Sequence, residues 1–104
     1  MSQEEPREYT EDEVREKFLK HIIDLIGYWH NLPAEKTMRE RMEGLAFSIL
    51  VSLDGESLAV PAFQVIPAPH PDDKDYLQSI GENWFPHNCD ISGCLHDTFC
   101  RLQK

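Results

Sequence analysis

The stretch Gly44-Leu45-Ala46-Phe47-Ser48-Ile49-Leu50-Val51-Ser52-Leu53, followed by Asp54-Gly55, decides how this chain is built. Leu45, Phe47, Ile49, Val51 and Leu53 alternate with smaller or apolar neighbours, which is a strand pattern. Yet only Ile49 and Val51 are β-branched, and nothing but Gly44 separates the stretch from the helical spacing before it. Met38, Met42, Leu45 and Ile49 recur at steps of 4, 3 and 4. In a helix, Gly44, Ser48 and Ser52 form a small-residue stripe that a neighbouring helix can approach closely, and Asp54-Gly55 is a C-terminal stop. The spacing therefore predicts a helix over about 34–53, opened by Pro33 at its first position. The competing reading is helix then strand, with Asp54-Gly55 as a hairpin turn.

Upstream, Thr10-Glu11-Asp12-Glu13 is a capping box, and three acids suit the positive end of a helix dipole. Val14, Phe18, Ile22, Leu25 and Trp29 then mark one helical face, ending near His30-Asn31. Residues 1–9 read as a disordered acidic tail and 10–104 as a single globular domain. Downstream, Leu58 to Ile66 carries Val60, Phe63, Val65 and Ile66 and predicts a small β element, with Pro61 confining it to an edge. Pro67, Pro69 and Pro71 make a proline-rich loop around His70. Asp72 to Asp75 opens a short helical turn closed by Gly81. Asp90 is placed to cap a last helix bearing Ile91, Leu95, Phe99 and Leu102. The expected fold is α+β and predominantly helical: two long antiparallel helices, a β element near 58–66 and a C-terminal helix. An edge strand without a partner in its own chain would favour a homodimer.

Composition narrows function by exclusion. The chain has 104 residues, 19 acidic and 10 basic, for a net charge of −9. So acidic a protein does not grip nucleic-acid phosphates directly. No run approaches the roughly 20 apolar residues of a membrane span. The acidic start lacks the order of a signal peptide, and three cysteines make no disulfide scaffold, so a cytoplasmic setting is expected. Seven of the ten bases lie within residues 1–41. Between Arg41 and Arg101, nine acids face the single base Lys74. That imbalance predicts an anionic surface able to dock a basic protein partner.

Two clusters carry candidate chemistry. His70, Asp72 and Asp73, with Asp75 nearby, combine an imidazole with carboxylates. Glu82, Trp84 and Phe85 follow in an aromatic loop. His70, Asp72, Asp73, Glu82, Trp84 and Phe85 are the candidate binding residues, an aromatic-walled groove edged with acids. The second cluster is His87, Cys89, Cys94, His96 and Cys100, whose donors suit zinc or another divalent cation. His96 and Cys100 are four apart and share a helix face, so they are its best ligand pair. No spacing in the cluster matches a zinc finger. The alternative function is thus a metal-binding protein or small metal-dependent enzyme using His70/Asp72/Asp73/Asp75 or the Cys/His group. No nucleophile elbow, phosphate loop or catalytic triad is present in the sequence, so no catalytic residue is assigned and no resident cofactor is expected.

The phrases Glu43-Gly44-Leu45-Ala46-Phe47-Ser48-Ile49-Leu50, Leu53-Asp54-Gly55, Pro61-Ala62-Phe63, Pro69-His70-Pro71-Asp72-Asp73-Lys74, Gly81-Glu82-Asn83-Trp84 and Asp90-Ile91-Ser92-Gly93-Cys94-Leu95-His96 carry a resemblance. Over residues 15–102 the chain resembles short acidic proteins of bacteria and their phages that have no assigned activity. The resemblance implies a bacterial or phage origin and no particular ligand.

Overall fold

Two threonines start the long helices. In a computed structural model, which describes residues 5–103, helix α1 spans Glu11–His30 and α2 spans Met38–Leu53. Both open with the same device. Thr10 Oγ1 accepts from Glu13 N while Thr10 N donates to Glu13 Oε1, and Thr37 and Glu40 repeat the exchange. Each box satisfies two orphan amides of the first turn. The expected start of α2 near residue 34 is corrected by this second box. Pro33 opens only a turn, in which Lys36 N donates to Pro33 O at 3.1 Å.

The stretch 44–53 is helical throughout. Gly55 ends α2 at φ +86, with Gly55 N donating to Ser52 O and Glu56 N to Val51 O, which closes the last turn. A Cβ at Gly55 would also lie 2.6 Å from the Ala62 Cβ. Two short helices follow, α3 over Asp73–Ser79 and α4 over Leu95–Leu102.

The small-residue stripe on α2 is where α1 lies. The Trp29 ring sits over Gly44, so close that a Cβ there would be 2.3 Å from it. Trp29 Nε1 donates to Ser48 Oγ at 2.9 Å, and His21 Nε2 meets Ser52 Oγ at 2.7 Å. Residue 29 pairs with 44–48 and residue 21 with 52, so the helices run antiparallel. Arg41 locks the hairpin. Its guanidinium donates to the carbonyls of Trp29, His30, Leu32 and Pro33 at 2.7–2.9 Å. Those of Trp29 and His30 are carbonyls that the end of α1 leaves without helical partners, and those of Leu32 and Pro33 belong to the connecting turn.

The α+β expectation is corrected: the described residues form four helices and no strand. Residues 61–70 form no helix, turn or strand and join no ladder. Phe63 N donates to Leu53 O, and Val65 O accepts from Ile91 N at 2.8 Å. Prolines at 61, 67 and 69 supply no N–H, and among the described residues no second such run lies alongside to pair with. The C-terminal helix also starts later than expected. Asp90 does not cap it; its carboxylate accepts from Val65 N and Ser92 N instead.

The molecule is thin and open. Its extents are 62 × 46 × 19 Å and its radius of gyration is 18.5 Å, against about 13 Å for a compact chain of this length. Among the described residues, only Val60 (6% exposed) and Ser52 (2%) are buried. The chain exposes 8772 Å², where a folded monomer of 12.1 kDa exposes about 6000 Å². No described helix is long and apolar enough to cross a membrane.

Candidate functional site

Residues 66–89 form an arm. Its base is pinned where Val65 meets Asp90 and Ile91. Helix α3, inside the arm, packs on no other helix. Gly81, at φ +76, ends α3, with Gly81 N donating to Gln78 O and Glu82 N to Leu77 O. This closure turns the chain back, bringing Trp84 and Phe85 beside the proline-rich loop. The result is a cleft of about 200 Å³ lined by Pro69, His70, Lys74, Trp84, Phe85 and His87.

Three of the six candidate binding residues, His70, Trp84 and Phe85, line that cleft. The other three, Asp72, Asp73 and Glu82, do not. Asp73 Oδ2 accepts from His70 N at 3.1 Å, and His70 Nδ1 accepts from Asp72 N at 3.2 Å. The imidazole, the Asp73 carboxylate and the Asp72 backbone amide thus build a tight turn before α3. Asp72 stays open to solvent, and its carboxylate is 3.7 Å from the His70 ring. The ammonium of Lys74 lies 5.2 Å from the centre of the Trp84 ring, a cation–π arrangement. Phe85 is 72% exposed, and Trp84 is also exposed.

The most enclosed ionisable pair is elsewhere, where α2 ends and α4 begins. The Asp54 side chain is 2% exposed and that of His96 is 12%. Asp54 Oδ1 accepts from Gly93 N and Leu95 N, and Oδ2 from His96 N and from His96 Nδ1, the last at 2.5 Å. One carboxylate therefore does for α4 what an N-cap side chain does, from 41 residues away. Cys94, in the left-handed region at φ 58, turns the chain so that these amides converge. The other ring nitrogen, His96 Nε2, faces Glu56 at 3.3 Å and Asp97 at 3.5 Å. The edge of Phe47 closes over the ring. Burial alone would raise the Asp54 pKa. The amides of His96 and Leu95, with the imidazole, outweigh it and hold the carboxyl below its ordinary range. The hydrogen bond to Asp54 raises the His96 pKa against partial desolvation, helped by Asp97 and Glu56.

His96, the expected metal ligand, is thus engaged by carboxylates through both nitrogens. Its proposed companion Cys100 is exposed, as is Cys94, so these thiols are not small core residues. Among the described residues, no three His, Cys, Asp or Glu side chains are placed to hold a metal ion. His87 contributes to the aromatic cleft. A larger apolar hollow of about 460 Å³ lies between Tyr9, Val14, Lys17 and the Leu58–Phe63 loop, and no imidazole or carboxylate lines it.

The amino-terminal bases are used where they stand. Arg7 pairs with Glu13, Arg15 with Glu11 and Asp12, Lys20 with Glu16, Lys36 with Glu40, and Arg39 with Glu43. Among the described residues, none of the acids from Asp54 to Asp97 forms an ion pair with a lysine or arginine. The basic side chains close to them are two imidazoles, those of His70 and His96. Of the tail expected over 1–9, residues 1–4 lie outside the described part. From residue 5 on, Arg7 is tied to Glu13, and Lys17 stands over the Tyr9 ring.

Arg41 and the Asp54–His96 link escaped the reading of the sequence. Asp54-Gly55 signalled a helix stop, but nothing local marks the carboxylate as the cap of a helix 41 residues on. No family model, curated protein or solved structure matches the chain.

Proposed function

We propose that this chain is a small cytoplasmic interaction or regulatory protein that docks a basic partner on the acidic arm and the acids beside it. The observation that carries the reading is that, among the described residues, no lysine or arginine forms an ion pair with the acids at 72, 73, 75 and 82, and Lys74 is the one base in that segment. Uncompensated carboxylates on a projecting arm draw in a cationic surface from a distance of about a Debye length. The cleft supplies the second stage. It already seats an ammonium over an indole, the chemistry by which a partner's Lys or Arg would settle against Trp84. Phe85 offers exposed aromatic area beside it.

The test is calorimetric titration with an oligolysine peptide across a salt series. Affinity should fall at least about tenfold from low to physiological salt. It should also fall in a variant carrying D72N, D73N, D75N and E82Q. Binding that ignores both the salt and the variant rejects the proposal.

A further inference from the structure

The α1–α2 hairpin carries an apolar face that none of the described residues covers. On α1, Leu19, Ile23 and Ile26 are spaced 4 and 3 apart and are about half to two-thirds exposed; on α2, Met38 (76% exposed) and Met42 (64%) are exposed too, in line with Leu45 and Ile49. At about 100° per residue, each stripe lies roughly 90–125° round its helix from the line where α1 meets α2, in the same rotational sense. Because the helices are antiparallel, equal senses put both stripes on the same side of the hairpin. Phe47 and Asp54, which hold α4, lie about 150° round α2 from the Met stripe. Helix α4 therefore occupies the other side and leaves this one bare.

We infer that a second copy of this chain covers this face, two hairpins packing as a four-helix bundle. The surface balance supports it. The chain exposes 8772 Å², about 2700 Å² beyond a folded monomer of its mass. Obligate homodimers bury about 1000–2500 Å² or more per chain, so one large interface of this kind would remove most of the surplus. Charge chooses a copy over another protein. Residues 11–53 hold eight acids and six bases, nearly balanced within a chain of net −9. The charges flanking the stripes are paired within the hairpin, Glu16 with Lys20 and Glu43 with Arg39. Such a rim selects neither a strongly basic nor a strongly acidic partner, and it lets two acidic chains meet without opposing their arms.

Sedimentation equilibrium of the intact chain tests this. The expected mass is twice 12.1 kDa, and it persists in high salt, unlike binding at the arm. Ile23→Glu and Met42→Glu, both at exposed positions, should raise the dissociation constant roughly 100-fold or more, because the interface would bury an unpaired carboxylate. Ile80→Glu, at the exposed position just after α3, should change nothing. Should the hairpin variants fail to fold, the wild-type melting temperature decides: it rises with protein concentration if dimerisation and folding are coupled. A monomer with a concentration-independent melting temperature overturns the inference. So does a dimer indifferent to Ile23→Glu, or a mass that grows without limit.

Discussion

Replacing Asp54 by alanine removes the carboxylate that ties the end of α2 to the start of α4. Three backbone amides and an imidazole lose their acceptor together. A lost N-cap costs about 1–2 kcal/mol, and a hydrogen bond to a charged group about 1.5–3 kcal/mol. These four share one carboxylate, and some of the freed amides rehydrate, so their costs do not add in full. About 3 kcal/mol is the expected loss, a large share of the 5–15 kcal/mol that holds an ordinary domain. Asparagine divides the effect. Its carbonyl still accepts from Gly93 and Leu95, but its amide cannot accept from His96 N or Nδ1, so Asp54→Asn should lose about half as much. The assay is urea unfolding followed by circular dichroism at pH 6, with all three proteins at one concentration. An Asp54→Ala protein within about 0.5 kcal/mol of wild type would refute the capping role.

Four other perturbations follow from the same geometry. The His96 pKa is raised, so its contribution to stability is complete below its ordinary 6.5 and is lost as pH climbs through the higher folded value. That of Asp54 is lowered, so its contribution holds above the ordinary 3.8 and is lost as pH falls through the lower folded value; urea melts over a pH series should show a plateau between about pH 4 and 6.5, absent in Asp54→Ala. Gly44→Ala drives a methyl into the Trp29 ring, which its bond to Ser48 holds in place; overpacking should exceed the helix-propensity gain and destabilise by about 1–2 kcal/mol, with a shift in Trp fluorescence. Arg41→Lys keeps the charge but cannot span four carbonyls, so thermal melts should register a loss of about 1–3 kcal/mol. Lys74→Met frees the Trp84 face and removes the one base of the arm, so oligolysine should bind about 2–5-fold more tightly by calorimetry.

Local chemistry was the legible part of the sequence. The Thr10 box, the end of α1, and the Gly44-Ser48-Ser52 stripe each depend on residues within a few positions of one another, and each stands in the structure as read. The error at 58–66 has a physical root. Exposure does alternate from Ala62 to Pro69, Phe63 and Val65 being half-buried and Gln64 and Ile66 open. The alternation was therefore legible, but a strand also requires a neighbour, and three prolines with no partner segment deny it a ladder. Thr37-Met38-Arg39-Glu40 outweighs Pro33 as a helix start because it satisfies amides, where proline only dispenses with one. At the candidate site, the convergence of His70 with Trp84 and Phe85 depends on the turn at Gly81. The role of Asp54 depends on α4 arriving from far along the chain. Pairings at such separations leave no periodicity or spacing to read.

The arm's role is tested most directly by titrating isotope-labelled protein with oligolysine and following backbone amide resonances. Shifts should concentrate on Asp72 to Asp75 and Glu82 to Phe85, with smaller changes at Glu56 and Asp97. Shifts confined to the acidic first turn of α1, or spread evenly over the molecule, would contradict that role.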